Sequence, residues 1–352
     1  MSIGKRQRPL IVPIFISNQG CPYQCIYCNQ EKISGQSGSS VDVPFIKKTI
    51  NRAMESPRFL SATDKEIAFY GGTFTNLTYE KMLEYLKGVA PYLSDGSFRS
   101  IRISTRPDLI DAEKLDILKR FGVSTVELGV QSMDNEVLRL SGRGYRNEDV
   151  FMAVNLLREH DFRIGVQLMP GLPGDSDDRF RRTIEDVIDL KPDMARLYPA
   201  VVLSGTGLAE LYHKNRYQPL DLEKAVDLCS DSCIQMESRG IIVIRIGLMS
   251  SPSLLDKGQI IAGPWHSAFG FLVRSAIHQK KIRPMLPEPG MVSRFSIRAP
   301  LREIPLIRGY KNQGLHTIEE RTGAKVISVI PDEQISSGSI RLDFVTNHFN
   351  KS

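Results

Sequence analysis

Long apolar runs are missing from this sequence of 352 residues. Its most hydrophobic stretches, LIVPIFI from Leu10 and GIIVIRIGL from Gly240, are strand-length and far too short for a membrane span. No apolar core follows the charged start MSIGKRQRPL, so no signal peptide is expected. Cysteine is scarce as well, with five in the chain, which excludes a disulfide-stapled secreted scaffold. The expectation is a cytoplasmic, reducing compartment, in which clustered cysteines read as metal ligands.

Neither sign of charge is in short supply, but the balance is uneven. The net charge is +6, and from Lys280 onward 12 Lys and Arg stand against 7 Asp and Glu. The rest of the chain holds 34 against 33. The basic C-terminal fifth suits a polyanionic partner. The length exceeds what one compact core usually organises, so a large domain plus a smaller one is expected.

For about 250 residues short Ile- and Val-rich segments alternate with amphipathic ones. The strand candidates begin at Leu10, Glu66, Ser100, Thr125, Arg163, Met194 and Ile241. Between them run helical patterns such as TYEKMLEYLKGVAPYL from Thr78, where Met82, Leu83, Leu86, Val89 and Ala90 share a face. Repeated β-α units predict a parallel sheet with helices outside, most simply a partial (β/α)6 TIM-like barrel. Working residues then belong at the C-terminal strand ends. Unusual chemistry does gather there: the cysteines after the first strand, YGGTF after the second, STRPD after the third, ELGVQS on the fourth and MPGLPGD after the fifth.

The cysteines lie at Cys21, Cys25 and Cys28 in GCPYQCIYCNQ. Three thiols underfill a tetrahedral site, which leaves two readings. Either a distant residue completes a zinc site, or a four-iron cluster uses three cysteines and leaves one iron open to an external chelator. Cys229 and Cys233, the remaining pair, sit four apart on a predicted helix and are too few for a second cluster. They read as small buried residues.

CPYQCIYC, with its aromatic Tyr27 before the last cysteine, resembles the CxxxCxxC signature of the radical S-adenosylmethionine enzymes. The resemblance implies a 4Fe-4S cluster on Cys21, Cys25 and Cys28, with S-adenosylmethionine chelating the open iron. It also implies reductive cleavage to methionine and a 5′-deoxyadenosyl radical, and a low-potential electron donor of ferredoxin or flavodoxin type. YGGTF is similar to the family's glycine-rich motif, so Gly71, Gly72 and Thr73 are expected near the cofactor's methionine end, with Thr73 where many relatives have Glu. GGTF, STRPD and VELGVQS together resemble the radical S-adenosylmethionine domain of the Elongator catalytic subunit. GVQS also occurs in the anaerobic coproporphyrinogen dehydrogenase group. By that likeness Ser104, Thr105, Glu127 and Gln131 line the cavity, Glu127 and Gln131 as the catalytic candidates, while Met169 lies by the adenine and Gly171 permits close approach.

Glu127 also reads as a salt-bridged wall residue. Arg106 and Asp108 read either as site residues or as a mutual pair. Arg196 and Arg245, charged within apolar strands, are either barrel ion pairs or anion clamps. His266, beside the one Trp, is mainly a packing residue. The tail segment Leu306 to Val329 resembles a KH RNA-binding repeat, with a GxxxxG spacing from Gly309 to Gly314 in place of GXXG. Nothing after Leu248 resembles the Elongator acetyltransferase domain.

The expected organisation is a barrel over 1–250, a helical extension over 251–284 and a basic α/β subdomain over 285–352. The expected function is radical S-adenosylmethionine chemistry on RNA, tRNA in particular, with no membrane partner. The alternatives are a small-molecule or porphyrin-type substrate, or a non-enzymatic iron–sulfur protein.

Overall fold

The computed structural model describes residues 9–35, 41–249 and 251–344. The chain divides into two compact units, one of 1–222 with 236–265 and one of 223–235 with 266–352.

The first unit is built on seven parallel strands: β1 (Leu10–Phe15), β2 (Lys65–Tyr70), β3 (Ser100–Thr105), β4 (Val123–Gln131), β5 (Arg163–Leu168), β6 (Met194–Leu197) and β8 (Ile242–Ile246). They lie side by side in chain order, curled with helices outside, as an open partial barrel. A short antiparallel pair, β7 (Val202–Leu203) and β9 (Ile260–Ala262), stands apart from the sheet. All seven strands coincide with the expected Ile- and Val-rich segments, whose apolar residues pack under the helices while Glu66, Arg102, Glu127 and Arg196 are charged positions on the same strands.

Side-chain caps fix where the crossover helices begin. Asp42 accepts from Phe45 N, Thr78 from Lys81 N, Asp111 from Lys114 N and Ser176 from Arg179 N. Each satisfies an amide that the first helical turn leaves unpaired. Helix Tyr79–Ser94 buries Met82, Tyr85, Leu86 and Val89. Each such side chain contributes about 1.5–3 kcal/mol.

Near its C-terminal end β4 loses register between Leu128 and Gln131, and Gln131 takes φ +67. A bulge of this kind re-aims the side chains at a strand end. It is what turns the GVQ segment toward the cavity described below.

The second unit holds a three-stranded sheet in the order β11 (Lys325–Pro331), β10 (Arg294–Ala299), β12 (Arg341–Phe344). β10 is parallel to β11 and antiparallel to β12. Its core is Ile282, Phe295, Ile297, Ala299, Ile307, Ile318, Ala324 and Val326. Ile282 closes helix Phe269–Ile282, so that helix, expected as a separate extension, shares the core of the C-terminal sheet. Strand β10 is followed by helix Ile304–Arg308, the turn at Gly309–Asn312, helix Gln313–Thr322 and β11. The last residues of the expected C-terminal subdomain, 345–352, lie outside the described residues.

Candidate active site

The cysteine loop is seated on the glycine loop that follows β2. Gly20 has φ +71, and a Cβ there would come 2.3 Å from the carbonyl oxygen of Thr73. A Cβ on Gly72 would fall 2.5 Å from the Gln19 oxygen and 2.7 Å from that of Ile16. Thr73 N donates to Gln19 O at 2.8 Å, and Asn76 Nδ2 to Gly20 O at 2.8 Å. These glycines are therefore required by two backbones in contact, as well as by anything they hold.

Cys21, Cys25 and Cys28 line one cavity of about 1270 Å3. Its wall includes Tyr27, Gly71, Gly72, Thr73, Ser104, Thr105, Glu127, Gln131 and Met169. Gly171 is not part of it. That glycine has φ +82, and a Cβ would come 2.8 Å from Leu220, so its conformation and packing explain it rather than approach to a cofactor. Its amide donates to Asp175 and its carbonyl accepts from Tyr217.

Cys21 Sγ is 3.3 Å from Thr73 Oγ1. Burial first, then the neighbouring Cys25, push the Cys28 thiol up to about 12. The Cys28 thiol therefore ionises readily only when a bound cation compensates it, and iron would do so. Among the described residues no three His, Cys, Asp or Glu side chains come together closely enough to hold a single metal ion. Thiols arrayed around a cavity suit a cluster, which takes one sulfur per iron, better than a mononuclear zinc.

Arg143 was not marked by the sequence. It lies in SGRGY between two glycines of positive φ, Gly142 and Gly144, and is only 6% exposed. Its Nη1 donates to Cys25 Sγ at 3.0 Å and to Tyr27 Oη at 3.3 Å, and its Nη2 donates to Gly129 O. Among the described residues it has no carboxylate partner. A permanent cation thus stands beside the Cys25 thiol. Arg106 grips Asp108 through two bonds, at 3.0 and 2.9 Å, and donates to the Arg143 carbonyl. The expected pair therefore forms and also steadies the Arg143 backbone.

Glu127 is the centre of a buried ion network. It accepts from Arg102 Nη1 at 2.8 Å, from Arg196 Nη2 at 3.0 Å and Nε at 2.5 Å, and from Tyr70 Oη at 2.9 Å. Arg102 in turn holds Glu66 at 2.6 Å. Burial alone would raise the Glu127 pKa, but Arg196 and then Arg102 outweigh it and hold the carboxyl below its usual range. A carboxylate with this many donors is a counter-ion and not a free proton acceptor, which corrects the catalytic expectation.

Gln131 Oε1 accepts from Gln167 Nε2 at 3.2 Å. A neutral amide orients by hydrogen bonding and transfers no proton. Thr105 Oγ1 pairs with Thr75 Oγ1, and Met169 packs with Tyr27 on a small core of Val137, Leu172 and Ala200. His266 belongs to the second unit, edge-on to Tyr310 at 4.9 Å, and Cys229 and Cys233 are fully buried in helix Leu222–Ser238.

An open parallel barrel that brings three cysteines to one cavity is the setting of an α/β enzyme. The family model of the radical SAM superfamily matches residues 15–187, and that of the radical SAM C-terminal domain matches 192–279. The chain belongs to the radical SAM superfamily. It is 30% identical over 189 residues to a tRNA uridine(34) acetyltransferase of Methanocaldococcus infernus, covering 48% of this chain and 35% of that protein. It thus spans about a third of that relative. It is 27% identical over 254 residues to the heme chaperone HemW of Bacillus subtilis, covering 71% of this chain and 66% of the other. The solved structure of archaeal M. infernus Elp3 shares the fold, with TM-score 0.63 and 24% identity over 77% of this chain and 63% of that one.

Proposed function

We propose that this protein is a radical S-adenosylmethionine enzyme acting on RNA, tRNA being the first candidate. The carrying observation is the approach of Arg143 to Cys25 on a cavity wall shared by all three clustered cysteines. Cys21, Cys25 and Cys28 would hold a 4Fe-4S cluster, with S-adenosylmethionine bound next to it. When bound, this pair supplies reductive cleavage of the sulfonium and a 5′-deoxyadenosyl radical for hydrogen abstraction. The Arg143 guanidinium stays charged whatever the pH and balances negative charge at Cys25 or on a cofactor carboxylate. Gln131 and Gln167 fix amide dipoles in the wall, and Tyr70 and Arg196 are held in place by Glu127. Apolar packing around Tyr27 and Met169 keeps water from that side of the cavity.

The RNA part of the reading rests on the tRNA-acting relative and on the second unit. There Arg308, at the end of its helix, and Tyr310, Lys311, Asn312 and Gln313, after Gly309, are exposed. Cations interleaved with an aromatic suit a single-stranded backbone and its bases. The loop is braced by Ser275, which donates to Leu306 O at 2.7 Å, and Gln279, which donates to Ile307 O at 2.8 Å.

The test is anaerobic incubation of reconstituted protein with dithionite and S-adenosylmethionine, with and without bulk tRNA. The expected result is 5′-deoxyadenosine whose yield rises with tRNA, together with RNA binding that weakens steeply with salt. A yield indifferent to RNA, with no salt-dependent binding, would favour a small-molecule or porphyrin-type substrate. No 5′-deoxyadenosine under any condition would sink the enzymatic reading.

A further inference from the structure

Most guanidinium groups inside the barrel meet a carboxylate or a cysteine, but the one on the last strand meets neither among the described residues. Arg102 is answered by Glu66 and Glu127, Arg196 by Glu127 and Arg106 by Asp108. Arg143 faces Cys25. Arg245, on β8, lines the same cavity, and among the described residues it has no carboxylate partner. Its Nε reaches only the carbonyl of Gly247, two residues along its own chain, at 3.4 Å.

Its position is set by register. Arg245 is the Cα partner of Arg196 on β6, and Arg196 is the partner of Gln167 on β5. Adjacent strands are about 4.8 Å apart, so these three residues form one row across the sheet. Tyr198 follows Arg196 by two residues and also lines the cavity. Its hydroxyl oxygen accepts from Arg196 Nη1 at 3.1 Å, which leaves the O–H free to donate. Gln167 gives one N–H to Gln131 and keeps a second. Two arginines thus stand in register, of which only Arg196 has a carboxylate partner among the described residues, with two neutral donors beside them.

A half-buried guanidinium in the strand IVIRI loses hydration, and a single long backbone contact returns little of it. A leucine there would fill the wall without that cost. An anion arriving in the cavity would return it, because the planar guanidinium fork matches the oxygens of phosphate or carboxylate.

We propose that Arg245, with Tyr198 and Gln167, binds an oxyanion of the substrate, a phosphate or carboxylate group, at the β6–β8 side of the cavity. This rests on the cavity's being the reaction chamber. It does not depend on the substrate's being RNA.

The test uses the full chain, anaerobically reconstituted. Inorganic phosphate is titrated in one arm and acetate in the other, each followed by the line width of its own 31P or 13C resonance. Wild type is compared with Arg245→Gln, Arg245→Lys and Tyr198→Phe, all first checked for unchanged melting. Arg245→Gln should weaken the preferred anion at least tenfold, the scale of one charge-assisted pair. Arg245→Lys should recover part of the loss, and Tyr198→Phe should cost a few-fold. The arm that responds tells phosphate from carboxylate.

Equal binding by wild type and Arg245→Gln, or no binding of either anion to wild type, overturns the proposal. So does an equal loss of S-adenosylmethionine affinity in Arg245→Gln, which would make Arg245 a cofactor clamp. Because the readout needs no turnover, failure of tRNA to stimulate 5′-deoxyadenosine formation would leave it standing.

Discussion

Arg143 Nη1 donates to Cys25 Sγ across 3.0 Å, which places a buried permanent cation against one of the three thiols of the cysteine loop. Hydrogen bonds to sulfur and local charge are principal controls on the potential of an iron–sulfur cluster. A cation stabilises the reduced, more negative state, so removing it makes reduction harder. Arg143→Gln should therefore assemble a cluster whose midpoint potential is lower by about tens of millivolts. Redox titration followed by electron paramagnetic resonance measures this. An unchanged midpoint in a fully loaded Arg143→Gln would show that the guanidinium does not act on the cluster.

The Glu127 network makes a prediction that separates structure from catalysis. Glu127→Gln removes the charge that balances Arg102 and Arg196 and leaves guanidinium groups buried with reduced compensation. Breaking a buried pair in this way costs about 3 kcal/mol or more. The folded carboxyl titrates below its usual range, so its contribution is complete above pH ~4.3 and is lost as pH falls through the lower folded value. Urea denaturation at pH 7 should show the loss, and the two proteins should converge in acid. A variant with wild-type stability and no activity would return Glu127 to a catalytic role.

Much of this architecture is legible locally. The strands are apolar runs closed by Gly, Pro, Ser or Asp, and the cysteine loop has its own spacing. Arg143 was not legible, because SGRGY reads as a loop and nothing local ties it to Cys25, 118 residues away. Gly171 was misread for a related reason. A glycine advertises a tight backbone, but only the fold shows that the neighbour is Leu220. Likewise Glu127 is one strand residue among many until register brings Arg102 and Arg196 to it. Helix Phe269–Ile282 falls with the C-terminal sheet because its core partners, such as Phe295 and Ile318, lie beyond any local window.

Two glycines of the second unit should respond differently to the same change. A Cβ on Gly314 would come 2.3 Å from the carbonyl oxygen of Ile307, whereas one on Gly323 would meet nothing within 4 Å. Gly314→Ala forces backbone apart and should cost roughly 2–3 kcal/mol. Gly323→Ala carries only the left-handed strain of its φ of +66, about 1 kcal/mol. Melting temperatures of the two variants check the order. If the loop binds RNA, Gly314→Ala should also weaken tRNA binding more than Gly323→Ala does. The reverse order of stability would contradict the observed closeness of Gly314 to Ile307.

Asp175 gives the clearest pH dependence. It holds the loop carrying Met169 by accepting from Gly171 N and from Ser176 N, both at 2.9 Å. Burial raises its pKa to about 6, more than those two amides lower it. A carboxyl raised in the folded state stabilises the fold fully below its unfolded value, and that contribution is lost as pH rises through about 6. At pH 7.5 the ionised, poorly hydrated side chain therefore costs on the order of 3 kcal/mol. Asp175→Asn keeps an oxygen for Gly171 N and sheds the charge, while the amide it gives up belongs to exposed Ser176. The variant should be more stable than wild type by about 1 kcal/mol at pH 7.5, with the gap closing as pH falls from 6.5 to 4. Thermal unfolding across that range measures it. A gap that widens toward acid would mean that the carboxylate, in its ionised form, is what holds the loop.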